Sequence, residues 1–463
     1  MKWFPLAALI PLAALSSCND SAPASRAPTQ LETPDAIPEL MDAFGVSGLA
    51  VTAVSGDRVL LASGYGQTQD GEDFSAATRC GLFSATKTLT SLTYAKLAEQ
   101  GRLDVSAPLG VFIEDAPPTW AQTPFYRLLN HSSGITMVVN KDAFEALASD
   151  PTSTNASVYA LIRDEPLDYQ AGEFSRYRQS GYAIGEMIVQ DEVGKPFAQL
   201  VDEIIVDAAG LTSTAHPAAR DKEQAAILLS AGGFETSAED MGKLIVGIND
   251  GSVIAPQTWK NWLLDEDHRF GDYSLGSVIE EHKGVLTLGH SGGGARANFR
   301  YAPDEEVGAM VCTDDRSNNG LAITLARMLI DEIVSGQRPA LPLLVALSDY
   351  QSMSGKEVIA AFQSAKDEGS KYDLSETEAL FNTIGYTFLE DEKLNDAVDV
   401  LRFNAVNFPN SPNAHDSLGE ALLTLGDIEG ALTQYERVLE LDPGNVNATK
   451  MLEGIRRKIG SKS

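Results

Sequence analysis

Ser84 and Lys87 stand three residues apart in the segment FSATK. In a helix this spacing puts both side chains on one face, one turn apart, so the lysine amine can reach the serine hydroxyl. A serine hydroxyl becomes a good nucleophile when a neighbouring group takes its proton, and a lysine can do so once its pKa is lowered. No other lysine in the chain has a serine three residues before it. The pair therefore indicates a nucleophile with its base beside it.

Three further segments follow FSATK in the chain: LLNHSSGI at 128–135, FSRYRQSGYAIG at 174–185 and HSGG at 290–293. In this order, and together with AGGFETSAEDM at 231–241, they resemble the serine β-lactamase and penicillin-binding family. The resemblance is strongest to its branch of class C enzymes, D-amino-acid peptidases and esterases, and it extends from about residue 45 to about residue 336. It implies an α+β fold in which a β-lactamase-like antiparallel sheet is flanked by helices and joined to a mostly helical subdomain.

The resemblance gives each matching position a role. It makes Ser84 the nucleophile, gives the acid and base work to Lys87 and Tyr177, and forms the oxyanion hole from the backbone amides of Ser84 and Gly293. The implied substrate is a small molecule or a peptide, and neither a cofactor nor a metal is implied. The implied substrate-binding and oxyanion residues are Gln179, His290, Ser291, Gly292 and Gly293.

Two of these positions depart from the family pattern. Gln179 stands where the family usually has asparagine, and the extra methylene moves an amide that should contact both the substrate and the lysine. His290 replaces a lysine, and histidine is largely neutral at pH 7. A penicillin or a peptide C-terminus presents a carboxylate, so the loss of a fixed cation weakens its recognition unless Arg178, Arg296 or another arginine compensates. We therefore expect an ester or D-amino-acid amide substrate, with weak or no β-lactamase activity.

The sequence also has features of other functions. Because Gln179 departs from the family pattern, an alternative is a catalytically decayed penicillin-binding-like lipoprotein. Such a protein would act as a peptide- or protein-binding scaffold through C-terminal tetratricopeptide repeats. The segment GHSGG around Ser291 also spells the nucleophile elbow of α/β-hydrolases, but that fold needs a histidine after the serine, and His415 lies in a different domain. The six scattered histidines show no spacing typical of a metal hydrolase.

The elements that must position these residues are visible in the sequence. Two strand-like runs around a Gly56-Asp57 turn predict a hairpin over residues 47–66, and VLTLGHSG, ANFRYAP and VGAMVCT predict three strands between residues 285 and 313. The pattern LAITLARMLIDEIVSG then predicts a helix. Strands at both ends of a region favour one antiparallel sheet built from both ends, with a mostly helical subdomain over about residues 84–250. TKTLTSLTYAKLAEQG predicts the helix that begins at Ser84.

The chain changes character after residue 336. Three small or helix-breaking residues recur at an interval of 34, which is the tetratricopeptide period. This predicts an all-α tetratricopeptide domain with a capping helix over residues 373–463, joined to the hydrolase domain (37–336) by a helical segment at 337–372. The repeats either present a concave surface to a protein partner or pack against the hydrolase, and the sequence leaves both open. The recurring pairs are Gly385 and Gly419, Ala397 and Ala431, and Pro409 and Pro443.

The N-terminus predicts export. Residues 1–18 combine a basic residue with a short apolar run, and LSSC ending at Cys18 resembles the lipobox of bacterial lipoproteins. We therefore expect a lipid on Cys18, a flexible tether at 19–36, and a membrane-anchored protein in the periplasm or on the cell surface.

Cys80 and Cys312 are interpreted as packed thiols, although an oxidising compartment would permit a bond between them. The net charge of −30, from 35 basic and 65 acidic residues, argues against a nucleic-acid partner.

Overall fold

The computed structural model describes residues 30–137, 141–217, 225–313 and 320–460. Within these ranges no helix is both long and apolar enough to cross a membrane. The strands are β1 Gly48–Ser55, β2 Arg58–Gly66, β3 Cys80–Gly81, β4 Glu235–Thr236, β5 Val278–His282, β6 Val285–Gly292, β7 Ala297–Ala302, β8 Val307–Thr313, β9 Leu341–Pro342 and β10 Tyr372–Asp373.

Helices precede and follow the strands of the sheet in the chain. Before the sheet closes they are α1 Ile37–Phe44, α2 Thr86–Glu99, α3 Leu109–Phe112, α4 Tyr126–Leu129, α5 Lys141–Ser149, α6 Asn155–Ile162, α7 Ser180–Val193, α8 Phe197–Val201, α9 Asp207–Ala209, α10 Ala238–Asn249 and α11 Pro256–Leu264. A π-helical turn, Asp202–Val206, joins α8 to α9. After the sheet they are α12 Leu321–Ser335, α13 Leu343–Ala346, α14 Gly355–Asp367, α15 Thr377–Glu390, α16 Leu394–Asn407, α17 Pro412–Leu425, α18 Ile428–Leu441 and α19 Val446–Gly460.

A six-stranded antiparallel sheet forms the centre of the N-terminal domain. Its order is β2-β1-β8-β7-β6-β5, so the N-terminal hairpin pairs with strands that lie about 250 residues later in the chain. The predicted sheet built from both ends of the domain is confirmed. The edge strand β5 was missed, because VIEEH is short and polar on both faces and carries little strand signal.

Both faces of the sheet are covered by helices. The strand β1 is buried along almost its whole length, because alternate residues face opposite layers. Ala50 and Val54 pack into one core with α2 and α10, whereas Leu49, Val51 and Ala53 pack into a second core with α1 and α12. The first core contains the helical subdomain that was predicted for the middle of the chain, and it lies on the side of the sheet where Ser84 is found.

The C-terminal region is a series of packed helices from α15 to α19. The glycines at the recurring positions lie where helices touch. A Cβ atom on Gly385 would lie 2.4 Å from the Cγ of Leu401, and one on Gly419 would lie 3.2 Å from the ring of Tyr435. The small residues therefore allow close approach within each helix pair. Apolar side chains of α15 and α16 continue the second core of the N-terminal domain, whereas α17 to α19 belong to a third core.

Two predictions about the N-terminal domain are wrong. The expected tether at 19–36 is too long, because the Glu32 and Thr33 amides donate to the buried Glu332 carboxylate at 2.5 and 2.8 Å and Ala36 is buried. Cys80 and Cys312 are not thiols but form a disulfide with a Cα–Cα distance of 6.2 Å. Sequence gives no distance between residues 232 positions apart, whereas the fold brings β3 against β8. Cys18 and the rest of the predicted signal lie outside the described residues.

Candidate active site

Ser84 lies in a short 3₁₀ turn, Phe83–Ala85, that leads directly into α2. The preceding residue, Phe83, has a left-handed φ of 47°. This conformation costs a non-glycine residue roughly 1–3 kcal/mol and is typical of functional sites. The guanidinium carbon of Arg296 lies 3.9 Å from the centroid of the Phe83 ring and holds the aromatic side chain in place. The turn therefore presents Ser84 directly after a strained residue. The FSATK pattern predicted Ser84 at a helix start, and α2 begins two residues later, at Thr86.

Lys87 is fully buried one turn into the helix. Its Nζ donates hydrogen bonds to the Gln179 side-chain oxygen at 3.0 Å and to the Ala231 carbonyl at 2.6 Å. Burial lowers the pKa of Lys87 from 10.5 to about 7, because an ammonium group loses its hydration inside the protein. At neutral pH a substantial fraction of this lysine is therefore an uncharged amine that can accept a proton.

Tyr177 contacts the nucleophile directly. Its hydroxyl lies 2.9 Å from the Ser84 Oγ, and the Gln179 amide nitrogen donates to the same hydroxyl at 3.4 Å. Burial raises the pKa of Tyr177, while its bonds to Ser84 and Gln179 act in the opposite direction. Ser84 Oγ thus accepts a hydrogen bond from the tyrosine hydroxyl, whereas the three-residue spacing predicted that Lys87 would be its partner. The physical reason is that the Lys87 amine is bonded instead to the Gln179 and Ala231 oxygens.

The segment HSGG at 290–293, called here the strand motif, lies at the end of β6 beside the Ser84 turn. A Cβ on Gly292 would lie 2.1 Å from the Leu82 carbonyl oxygen, so only glycine allows the strand to pass this turn. Gly293 follows with a φ of 60° against the Phe83 ring. Ser291 pairs with Asn298 of β7, and since side chains alternate along a strand it lies on the face opposite His290. The Ser291 hydroxyl therefore does not lie on the face of the sheet that carries the His290 side chain, as a shared role with His290 would need.

His290 is a buried, uncharged imidazole. Burial, with a smaller effect of the Lys87 charge, lowers the pKa of His290 to about 3. Its Nδ1 bonds to the Ser291 carbonyl oxygen, which can only accept, so Nδ1 carries the proton. The remaining Nε2 is then an acceptor, and it has no hydrogen-bond partner among the described residues. The prediction that His290 is neutral where the family has a charged lysine agrees with this burial and with the low pKa.

The arginines named as substitutes for that cation differ in their surroundings. Arg178 is engaged, because its Nη2 lies 2.8 Å from the Asp168 carboxylate. Arg296 donates from Nε to the Gly293 carbonyl at 2.8 Å. In the described part of the chain no carboxylate pairs with Arg296, so it is the arginine that retains positive charge next to the strand motif.

Sequence reasoning missed several residues that hold the site together. His131 of the LLNHSSGI segment packs against Tyr177, with 4.5 Å between the ring centroids, and its Nδ1 accepts a hydrogen bond from the Arg178 amide at 3.2 Å. The Ala231 carbonyl was missed because a backbone acceptor leaves no side-chain signal, although AGGFETSAEDM had marked this stretch. Phe83 was missed because backbone strain cannot be read from residue types.

The arrangement is suited to acyl transfer. A serine hydroxyl is bonded to a tyrosine, and one glutamine amide connects that tyrosine to a buried lysine with a pKa of about 7. A nucleophile together with a base that is partly uncharged at neutral pH is what covalent catalysis at a carbonyl requires. Over the described ranges, histidine, cysteine and acidic side chains form no group of three or more that would hold a metal ion.

The chain matches a known protein family and several solved structures. A family model described as Beta-lactamase matches residues 34–331. No match was found among curated protein sequences. Among solved structures, a D-amino acid amidase from Ochrobactrum anthropi SV3, complexed with D-phenylalanine, aligns with a TM-score of 0.56 and 16% identity, over 66% of this chain and 100% of that chain.

Two further structures are similar to the same part of the chain. The octameric penicillin-binding protein homologue from Pyrococcus abyssi aligns with a TM-score of 0.55 and 21% identity, over 65% of this chain and 77% of its own. A penicillin binding protein from Bacillus halodurans aligns with a TM-score of 0.53 and 19% identity, over 63% and 99%. At these identities the likeness establishes the fold alone.

Proposed function

Because the chain belongs to the β-lactamase family of serine hydrolases, we propose that it hydrolyses an ester or an amide through an acyl-enzyme on Ser84. The observation that carries this proposal is the hydrogen-bonded series from Ser84 through Tyr177 and Gln179 to Lys87. A decayed scaffold would have no need to keep a lysine fully buried beside a serine and a tyrosine, since a buried amine is costly. Intact geometry at these four residues therefore favours an enzyme.

The proposed reaction begins with attack of the Ser84 oxygen on the substrate carbonyl. During the attack the Tyr177 hydroxyl gives its own proton to neutral Lys87, whose Nζ lies beside the tyrosine ring, and takes the proton of Ser84. Tyr177 thus remains a neutral phenol, and Lys87 becomes an ammonium ion. The negative charge on the carbonyl oxygen is stabilised by the Ser84 and Gly293 amides, a contribution commonly worth about 3 kcal/mol for each donor. The leaving group takes the proton held by Lys87 as its bond to the carbonyl carbon breaks. Water then attacks the acyl-enzyme, its oxygen goes to the released acid, and one of its protons returns to the Ser84 oxygen.

The substrate class follows from the charges around the strand motif. His290 is neutral and offers an acceptor, so it repels rather than binds a carboxylate. Arg178 is paired with Asp168, and Arg296 is held over the Phe83 ring with its Nε bonded to the Gly293 carbonyl. We therefore propose short esters or D-amino-acid amides as substrates, with weak or no turnover of β-lactams. The D-amino acid amidase from Ochrobactrum anthropi SV3, which has the same fold, supports the amide as one of the two classes.

Export and lipid anchoring are part of the proposal. The disulfide between Cys80 and Cys312 supports an oxidising compartment, because such bonds are rare in the cytosol. The LSSC segment at Cys18 supports a lipoprotein anchor that places the domain at a membrane surface.

We also propose that the helices from α15 to α19 are tetratricopeptide repeats, on the strength of their 34-residue interval and close glycine contacts.

A fluorophosphonate probe tests the proposed function. Wild-type protein should be labelled at one serine, and Ser84→Ala should abolish the label without a change in thermal unfolding. Short-chain nitrophenyl esters, D-amino-acid amides and a chromogenic cephalosporin then define the substrate, with the cephalosporin expected to be the poorest. A folded wild type that neither takes the label nor turns over any ester or amide would contradict the proposal, and efficient cephalosporin turnover would contradict its substrate class.

A further inference from the structure

Glu186 is a fully buried carboxyl group that the proposed chemistry does not use. It lies on α7, and its Oε2 accepts a hydrogen bond from the Ser230 amide at 2.8 Å, while no residue in the described part of the chain bonds to Oε1. Burial raises the pKa of Glu186 to about 7. A carboxyl group without full hydrogen bonding is costly inside a protein, so its presence here calls for a role beyond packing.

Glu186 is one of several groups that hold residues 228–231 in place. Leu228 has a left-handed φ of 57°, a strained conformation for a leucine, and its amide donates to the Asn155 side-chain oxygen at 2.9 Å. The Ser230 carbonyl accepts from the Thr90 hydroxyl at 2.7 Å. Strained backbone persists only where its surroundings determine it, and here those surroundings are polar and buried.

The next carbonyl along this segment belongs to the catalytic site. Ala231 accepts the 2.6 Å hydrogen bond from Lys87, and Ser230, which Glu186 holds, immediately precedes it. We propose that Glu186 is a positioning residue for Lys87: by accepting the Ser230 amide, it fixes the Ala231 carbonyl where it receives the lysine amine. The role rests on the proposed function, in which Lys87 is the base.

The proposed role depends on hydrogen-bond acceptance and not on charge. The groups that face Glu186 from neighbouring elements are uncharged: Tyr94 on α2, Asn155 on α6 and Ser230 itself. A neutral carboxylic acid still accepts an amide hydrogen bond through its carbonyl oxygen, and so does a glutamine. Glutamine should therefore replace Glu186, whereas a side chain without an acceptor should not.

The test compares Glu186→Leu and Glu186→Met with Glu186→Gln. The two apolar variants should lose at least about tenfold in kcat for an ester, which corresponds to about 1.4 kcal/mol, with KM unchanged within twofold and slower probe labelling of Ser84. Glu186→Gln should retain more than half of the activity. Glu332→Gln is the matched control, since Glu332 is also a buried carboxylate that accepts two amides but lies against the opposite face of the sheet. Thermal unfolding shows which variants are folded.

A second measurement does not require activity. In protein labelled with ¹³C-lysine, the Lys87 signal, identified by its absence in Lys87→Arg, reports the titration of the amine. Loss of an acceptor for the charged form should lower its midpoint by about half a pH unit or more in Glu186→Leu, and leave it unchanged in Glu332→Gln. A folded Glu186→Leu with wild-type kcat and an unchanged Lys87 titration would overturn the inference. If the midpoint moves while wild-type protein shows no label and no turnover, the proposed function is wrong and the positioning role stands.

Discussion

A buried lysine with a pKa near neutrality is the residue on which the proposed chemistry turns. Lys87 has lost its hydration and has two neutral oxygens and two aromatic rings around it, with its Nζ 4.9 Å from the Tyr177 ring centroid and 4.7 Å from that of Tyr182. These contacts stabilise the ammonium form in part, while burial opposes it more strongly. At neutral pH Lys87 is therefore present in both its charged and its uncharged form, so it can accept a proton and return it.

This protonation state predicts the pH dependence. Below the pKa of about 7 the ammonium form predominates and cannot accept a proton, so kcat/KM for an ester should fall about tenfold for each pH unit below 6 and level off above 8. Steady-state rates from pH 5 to 9 measure this, with circular dichroism at each pH to show that the protein stays folded. Lys87→Met should reduce kcat by about a hundredfold or more at every pH. A flat profile between pH 5 and 8 would remove Lys87 as the base.

Gln179 forms hydrogen bonds to both Lys87 and Tyr177, and the length of its side chain lets one amide reach both groups. Asparagine lacks one methylene, so Gln179→Asn should not reach Lys87 and Tyr177 at the same time. The loss of one hydrogen bond, about 1 kcal/mol, should lower kcat for an ester roughly fivefold. The freed amide should raise the ratio of cephalosporin to ester turnover. The control is Gln199→Asn, which changes an exposed glutamine that bonds to Glu203. An unchanged ester rate and an unchanged ratio would contradict the bridging role.

At the scale of elements, glycines decide how closely strands and helices approach. On the strand side, Gly292 lets β6 pass the turn that carries Ser84. On the helix side, Gly385 lets α15 pack against the buried Leu401 of α16. In both places the absence of one methyl group determines whether two elements can touch at all, and so whether the residues they carry can meet.

Gly385→Ala tests this packing in the C-terminal helices. The added Cβ would overlap the Leu401 side chain, so the variant should lose about 1–3 kcal/mol of unfolding free energy, although alanine favours helices over glycine. Gly454→Ala is the control, because no atom lies within 4 Å of its Cβ position, and it should gain roughly 0.5–1 kcal/mol. Urea unfolding followed by circular dichroism compares the two. Stabilisation of both variants by the same amount would contradict the close contact.

At the scale of the whole molecule, the N-terminal domain and the first C-terminal helices share a core. Phe381 of α15 packs its ring 5.2 Å from Phe362 of α14, and Ile384 and Phe388 belong to the same buried cluster as the apolar side chains of α12. The sequence left open whether the repeats pack against the hydrolase. In the structure the helix pair α15 and α16 shares the buried core of the N-terminal domain, whereas the apolar side chains of α17 to α19 belong to another core.

Two truncations separate these contributions. A chain that ends at residue 372 loses the aromatic side chains of α15 and should unfold at a temperature lower by roughly 10 °C or more, because each buried aromatic contributes about 1.5–3 kcal/mol. A chain that ends at residue 410 keeps both α15 and α16 and should unfold closer to the full-length protein. Differential scanning calorimetry measures both, and probe labelling of Ser84 reports the site. Equal unfolding temperatures for the two truncations would show that the shared core is not needed for stability.

The sequence by itself determined the fold family, the strands and helices that carry the site, and four residues that meet in it. The elements and the Ser84–Lys87 pair follow from local patterns: alternation along strands, a three-residue step along a helix and a 34-residue interval between helix pairs. The fold family and the places of Tyr177 and Gln179 were implied by the resemblance of the ordered motifs to a known family. Only the tertiary structure decided that Ser84 bonds to Tyr177, that Cys80 meets Cys312, and that Glu186 and the Ala231 carbonyl lie behind Lys87. These depend on distances between residues far apart in the chain, and on backbone carbonyls that every residue possesses, so residue types alone do not encode them.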